Sequence, residues 1–332
     1  MSHLPRITVI IKTLNEQDGI AATIKSVQSH LSHYQYDVIV ADSLSEDDTQ
    51  KIALENGAKV VTLVNKKDRC CGVGPQLGYL YSTGDYLLLL DGDMCLQDGF
   101  IDEAINFLEK EPTYAAVAGT VEMDEANSYE FKSRQQRHHK IYPTGDCNHL
   151  AGGGLYRASA VKDIGYLTHR TLHAYEEAEL GMRLQYAGYK LHRLDAPFFH
   201  HTSYDMPTLT LLRYRWKRGY LFASGELLKS AFGQAYFRQA VRVVRNELIF
   251  ACYLAWLMLV LLVGNVSVLV MSLLPLLLFF IMKALKNRSI KDGALSVVNL
   301  TVFAAGLVNG LLSPIKDPNQ PPQHKVIERE PL

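Results

Sequence analysis

Cysteine is scarce. The chain of 332 residues has five, an odd number, with no Cys-x-x-Cys pair. That excludes a disulfide scaffold and points to reduced thiols in a cytosolic setting. Net charge is missing as well. Lys plus Arg and Asp plus Glu both number 34, so the formal charge is zero, and a chain-wide basic field for nucleic acid is excluded. Residues 1–6 hold no long apolar core, so no cleaved signal peptide is expected. No internal repeat or low-complexity tract is evident. A hydrophobic share of 48% against 20% charged residues excludes global disorder.

Charge vanishes altogether in two stretches, Leu248 to Met282 and Ala294 to Pro314. A membrane-crossing helix needs ~20 mostly apolar residues. The first stretch fits a tight two-helix hairpin turning at Gly264-Asn265, with arms of ~17 residues at the short end of the spanning range. Pro275 falls inside the second arm, where membrane helices tolerate it. Arg238, Arg242 and Arg245 precede the stretch; Lys283, Lys286, Arg288 and Lys291 follow it. Positive flanks place both ends, and the N-terminal domain, on the cytoplasmic side of a membrane, the bacterial inner membrane in the first instance. The second stretch reads two ways, as a third span or as an interfacial or re-entrant helix, because Asn299, Asn309, glycines and proline interrupt it. The expected division is 1–232 catalytic domain, 233–314 interfacial and transmembrane helices, and 315–332 flexible tail.

The first 230 or so residues read as α/β. Ile7–Ile11, Tyr36–Ala41, Lys59–Val64 and Tyr86–Leu90 are apolar, β-branched or leucine-rich strands. Ala21–His30, Asp47–Gly57 and Phe100–Glu111 have helical spacing. Alternation of this kind predicts a mostly parallel sheet covered on both faces. Ligands of such sheets sit at the carboxyl ends of the strands, so the polar residues there are the candidates.

Asp91-Gly92-Asp93 follows the fourth strand directly. Two carboxylates one residue apart can share a hard divalent cation, with Gly92 allowing a sharp bend; an Asp-Gly turn is the plain alternative. Asp42 to Thr49 forms an acidic loop after the second strand. A carboxylate there can accept hydrogen bonds from a nucleoside, whereas Ser45 and Asp47 suit helix capping. Glu176, Glu177 and Glu179 cluster in a helical segment, either as a solvated face or as a source of a catalytic base.

In this order Thr13-Leu14-Asn15-Glu16, Asp42-Ser43-x-Ser45-x-Asp47-x-Thr49 and Asp91-Gly92-Asp93 resemble a family 2 glycosyltransferase of GT-A fold. Gly152-Gly153-Gly154, the block Tyr175 to Leu184 and Arg215-Trp216 continue the resemblance to about residue 220. The resemblance implies a Rossmann-like GT-A domain and inversion at the transferred sugar. It implies a nucleotide-sugar site at Thr13, Asn15, Glu16, Asp42, Asp91 and Gly92. It implies Mg or Mn on Asp91 and Asp93, a general base at Glu177, and a sugar or acceptor site at Gly152, Gly153, Gly154, Glu176, Arg215 and Trp216. Arg69 is expected to border the donor, and His201 to add a metal ligand or, like many histidines, to serve the fold. Trp216 with its basic neighbours also reads as a headgroup-level segment.

The chain departs from the family pattern at four places. Lys12 replaces the usual Pro, Ser43 the second Asp of the acidic loop, Glu177 an Asp, and Leu212 the Gln of the synthase motif; the last argues against a processive synthase. The expected partners are a nucleotide-sugar donor, a UDP-sugar in the first instance, a lipid-linked or polysaccharide acceptor, and the bilayer. Two alternatives stay open: transfer to a polyprenyl phosphate, which needs no base, and a non-catalytic sugar-nucleotide-binding subunit.

Overall fold

The computed structural model describes residues 4–123, 142–201 and 207–328. The chain divides into two compact units, one of residues 1–127, 131–205 and 316–332, the other of residues 128–130 and 206–315.

The first unit is built on one sheet. Its strands are β1 Arg6–Thr13, β2 Gln35–Asp42, β3 Lys59–Leu63, β4 Tyr86–Asp91, β5 Met94–Leu96, β6 Tyr114–Met123, β7 Gly145–Cys147, β8 Gly154–Arg157, β9 Lys190–His201 and β10 His324–Ile327. The order is β10-β3-β2-β1-β4-β8-β6-β9-β5, with β7 beside β9. β3, β2, β1 and β4 run parallel, as their apolar runs predict. The rest is mixed: β8 is antiparallel to β4 and β6, β9 is parallel to β6, and β5 and β7 are antiparallel to β9. Ile7, Val9, Ile10 and Ile11 of β1 are at most 1% exposed, so both faces of this strand are covered, which explains its lack of polar alternation. β1 is also where the strand order reverses, since β2 and β3 lie to one side and β4 to the other. A crevice at the carboxyl ends of β1 and β4 follows from that reversal.

Helices α1 Ile20–His30, α2 Thr49–Glu55, α3 Val73–Tyr79, α4 Phe100–Lys110, α5 Ala158–Asp163 and α6 Glu176–Tyr186 belong to this unit. α1 buries Ile20, Thr23, Ile24 and Val27, one stripe at helical spacing. α4 buries Phe100, Ile101, Ala104, Ile105 and Leu108, carries Asp102 and Glu103 in its first turn, and ends just before Pro112.

The tail, expected to be loose, departs from that expectation. β10 pairs antiparallel with β3 in the register Val326↔Val61. Lys316 Nζ lies 2.6 Å from Asp68 Oδ1, Arg170 donates to the Gln320 carbonyl, and Tyr81 meets His324 at 2.9 Å. β3 would otherwise be an edge with open backbone groups, and the tail covers it.

The second unit is helical: α7 Thr208–Lys217, α8 Ala223–Ala231, α9 Phe237–Val243, α10 Arg245–Val263, α11 Val266–Asn287 and α12 Ile290–Leu312. The last three are long and apolar enough to cross a membrane. Gly264, at φ 73°, ends α10, and the Asn265 side chain accepts from Val268 N to start α11. This is the turn expected from the sequence. Ser272 of α11 accepts hydrogen bonds from Tyr253 and Trp256 of α10 at 2.7 and 3.0 Å, which ties the two arms together.

Candidate active site

Register alone brings the first candidates together. β1 pairs with β2 so that Thr13 faces Asp42, and with β4 so that Lys12 faces Asp91. The loops after β1 and β2 are then stitched to each other. Ser45 Oγ accepts from Asn15 N at 2.9 Å, Asn15 Oδ1 from Glu46 N at 2.8 Å, and Thr49 Oγ1 from Glu16 N at 2.8 Å. Asn15 and Leu44 both sit at φ 60°. That region is tolerable for Asn and costly for Leu. Arg69 secures the second loop, donating to Ser43 O at 2.7 Å and to Leu44 O, with Glu46 3.4 Å away.

Asp42 is enclosed by its own chain. It is 1% exposed. It accepts from Thr13 Oγ1, Ser45 Oγ, Ser45 N, Gln50 Nε2 and Thr62 Oγ1 at 2.5–3.1 Å. A carboxylate has about four lone-pair sites, and five donors from the chain itself lie within reach of them. Asp42 and Arg69 organise the loop pair from inside. Asp47 behaves as a capping residue, accepting from Thr49 N and Thr49 Oγ1.

Gly92 is required by space and not by a bend, because its φ is not in the left-handed range. A Cβ there would lie 2.9 Å from Glu16 Cβ and from Thr13 Cγ2. Its carbonyl accepts from Thr23 Oγ1 at 2.9 Å, which anchors the segment between Asp91 and Asp93. Glu16 stands among carboxylates. Its own burial, then Asp93, Asp91, Asp47 and Asp18, push its carboxyl up to about 8.

On the other side of Asp91 lies the second acidic group. Glu176 is 7% exposed and Glu179 is fully buried, so this cluster is not a solvated face. Glu179 Oε1 accepts from Arg183 Nε at 2.8 Å and Tyr166 OH at 2.6 Å, and Arg183 also donates to the carbonyls of Tyr166 and Leu167 at 2.7 Å. That knot fixes α6 to the preceding loop. Tyr175, just ahead of α6, has φ 66°, an outlier for a bulky residue.

Glu177 is held by backbone. Gly152 N donates to Oε2 at 2.9 Å and Gly153 N to Oε1 at 2.7 Å. Successive glycines at φ 83° and 91° aim both N–H groups the same way, an anion-binding nest. The glycine run, expected to line the sugar site, grips the chain's own carboxylate. One lone pair on each oxygen is taken and one is left. Burial raises the Glu177 carboxyl, Lys12 lowers it, Glu176 raises it, the Gly153 N–H lowers it and Asp91 raises it; the outcome is about 7.

Lys12 joins the two acidic groups. Its Nζ lies 3.1 Å from Asp91 Oδ1 and 3.3 Å from Glu176 Oε1. Burial opposes its charge, but Asp91, Glu176, Cys71 and Glu177 outweigh burial and hold the ammonium well above its usual range. Lys12, Asp91, Gly153, Thr168, Glu176 and Glu177 line one small pocket. Sequence reasoning registered Lys12 only as a departure from the family pattern; a lysine closing a buried strand was the signal that could have found it.

Arg215 and Trp216 lie on α7, in the second unit. The His201 side chain lies outside the described residues. Among the described residues no group of three or more His, Cys, Asp or Glu side chains is placed to hold a metal ion.

Residues 8–164 match the family described as Glycosyl transferase family 2. The chain is 41% identical over 100 residues to the low-salt glycan biosynthesis hexosyltransferase Agl6 of Haloferax volcanii, a stretch covering 28% of this chain and 22% of that protein. It is 27% identical over 199 residues to the succinoglycan biosynthesis protein ExoA of Rhizobium meliloti, covering 56% of this chain and 60% of the relative. Both matches thus span less than two thirds of the relative. The mannosyltransferase PcManGT of Pyrobaculum calidifontis, solved with GDP-Man and Mn2+, superposes with a TM-score of 0.61 at 16% identity, over 93% of this chain and 88% of that one. At that identity the likeness is one of fold. The family profile covers residues 8–164, the stretch that holds the strand-end carboxylates, and the fold that carries them is GT-A.

Proposed function

We propose that the protein transfers a sugar, with inversion, from a nucleoside-diphosphate sugar to a hydroxyl of a lipid-linked or growing glycan. One observation carries this reading. Glu177, a carboxylate poised near neutrality and gripped by two backbone N–H groups, shares a pocket with Asp91 at the strand-order reversal. A sugar hydroxyl has a high pKa and needs a base within hydrogen-bond reach. A phosphate acceptor, already ionised, has no use for one.

The donor side fits a hard divalent cation. Asp91, Asp93 and Glu16 supply only oxygen donors, and the crowding that raises Glu16 is what a cation relieves. Mg or Mn bound by Asp93 and Asp91 would neutralise charge on the leaving diphosphate, an effect worth several kcal/mol. Thr13, Asn15 and Glu16 form the floor under the nucleoside, which we assign to a UDP-sugar. The names of the glycan-biosynthesis relatives support a surface glycan as product.

Three helices long and apolar enough to cross a bilayer support a membrane location. The Lys and Arg residues flanking the α10–α11 hairpin support a cytoplasmic catalytic unit, where sugar nucleotides are available. A screen of sugar nucleotides on membranes holding the full chain, reading nucleotide release with and without Mg or Mn, tests the reading. Metal-dependent release with one donor is expected. No release with any donor, in the presence of glycan acceptors, would leave the non-catalytic binding role.

A further inference from the structure

Three candidate spans raise a question of parity. The chain leaves the first unit near residue 205 and re-enters it at residue 316. β10, beyond all three apolar helices, is hydrogen-bonded to β3. A sheet cannot be shared across a bilayer, because unpaired backbone in hydrocarbon is too costly. Residues 206–315 therefore begin and end on one face of the membrane, and they cross it an even number of times.

Which helix stays behind is decided inside the second unit. α7, α8 and α9 have ten, nine and seven residues, too short to cross. The segment they form is therefore still on the near face. α12 returns to that segment. A Cβ on Gly306 would stand 2.1 Å from Leu221 O, one on Gly310 1.9 Å from Phe222 O, and one on Gly225 2.0 Å from Leu307 O. Glycine at these three positions lets α12 lie backbone to backbone against α8 and the turn before it. Lys229 Nζ donates to Ser313 O at 2.6 Å. The carboxyl end of α12 is thus on the near face. Its amino end follows Lys283, Lys286 and Arg288 and contains Lys291 and Asp292, and such charge clusters mark the cytoplasmic side.

We propose that the chain crosses the bilayer twice, through the α10–α11 hairpin, and that α12 enters and leaves by the near face, presenting its outward side to the lipid of that leaflet. The distribution of exposure agrees. α12 covers Gly293, Ser296, Ala304, Gly306, Leu307 and Gly310. It exposes Val298, Val308, Leu311 and Leu312. The open side is mostly apolar, with Thr301 and Asn309 among its exposed residues, and suits the acyl and headgroup boundary better than water. α12 also has the lowest hydropathy of the three, 1.8 against 2.1 and 2.5. Length and composition alone would count it as a span; the hydrogen bonds after it forbid that.

Epitope tags in the full chain test this, placed one at a time before Met1, within the Gly264-Asn265 turn, after Arg288 and after Leu332, and read by impermeant antibody or protease in sealed membranes. The expected result is one face for the tags at Met1, Arg288 and Leu332 and the opposite face for the tag at Gly264. A Leu332 tag on the Gly264 face means three crossings and overturns the parity argument. An Arg288 tag on the Gly264 face means that α12 crosses and one arm of the hairpin does not. All four on one face means no crossing. A spin label on Val308→Cys in a Cys252→Ala chain tests the lipid contact: an oxygen-accessible, mobile spectrum is expected, and a spectrum immobilised by protein overturns that part. None of these outcomes depends on sugar transfer, so the topology and the proposed reaction fail separately.

Discussion

Replacing Glu177 by Gln keeps the size of the side chain and removes its capacity to take a proton. If Glu177 deprotonates the acceptor hydroxyl, turnover falls by about 10²–10⁴-fold, equivalent to roughly 3–5 kcal/mol of barrier. The pH profile sharpens the test. With the carboxyl at about 7, wild-type kcat rises through neutrality, and one unit below that point it is about a tenth of its plateau. The residual rate of the Gln variant has no such limb. Stability moves in a defined sense as well. A carboxyl raised from its ordinary 4.5 to about 7 contributes stability that is complete below pH 4.5 and lost as the pH climbs through 7; the loss is at most ~3 kcal/mol. The Gln variant lacks this loss, although its NH2 group now meets one of the two glycine N–H donors, at a cost of about 1–3 kcal/mol. The assay is single-donor transfer at saturating metal from pH 5.5 to 8.5, with thermal denaturation at the two ends. A Gln variant keeping more than a tenth of wild-type turnover, or a flat wild-type profile, refutes the reasoning and favours an acceptor that is already an anion.

Three further outcomes are expected. Lys12→Met removes the cation that opposes protonation of Glu177, so the rising limb should move up by about one unit while Lys12→Arg leaves it in place; a uniform loss at every pH would mean that Lys12 only supports the fold. Gly153→Ala forces a Cβ to within 2.2 Å of Leu89 O at φ 91°, and should cost roughly 2–4 kcal/mol on denaturation and lower kcat with little change in donor KM; unchanged stability would contradict the nest. Asp42→Asn turns one acceptor into a donor facing Thr62, Gln50 or Ser45 and should lower stability by about 1–3 kcal/mol, without removing metal dependence; a variant as stable as wild type that has lost only nucleotide affinity would restore Asp42 to the nucleoside.

The parallel half of the sheet was legible because its strands are buried on both faces, so Ile7–Ile11 and Tyr86–Leu90 announce themselves as uninterrupted apolar runs. β5, β7 and β10 are three or four residues long. Their pairing is set by partners far away in the chain, and no local pattern reports it. The strand-end carboxylates were legible by position, but their direction was not. Asp42 and Asp91 occupy equivalent places after β2 and β4, yet one is turned into a net of hydroxyls and the other faces a lysine. That difference comes from Thr13, Thr62 and Gln50 around the first and from the Lys12↔Asp91 register at the second. Glu177 could be named, but its grip by Gly152 and Gly153 required a contact across 24 and 25 residues. A run of three glycines reads equally well as a loop.

The strand that closes the sheet beside β3 has a consequence for how the protein is made. It follows all three apolar helices in the chain, so it is made after them. Until then β3 carries an open row of amide and carbonyl groups, a template for pairing with other chains. Nascent chains that stall or are cut within the helices are left with that edge bare, so completion of the first unit's sheet waits on a strand made after those helices.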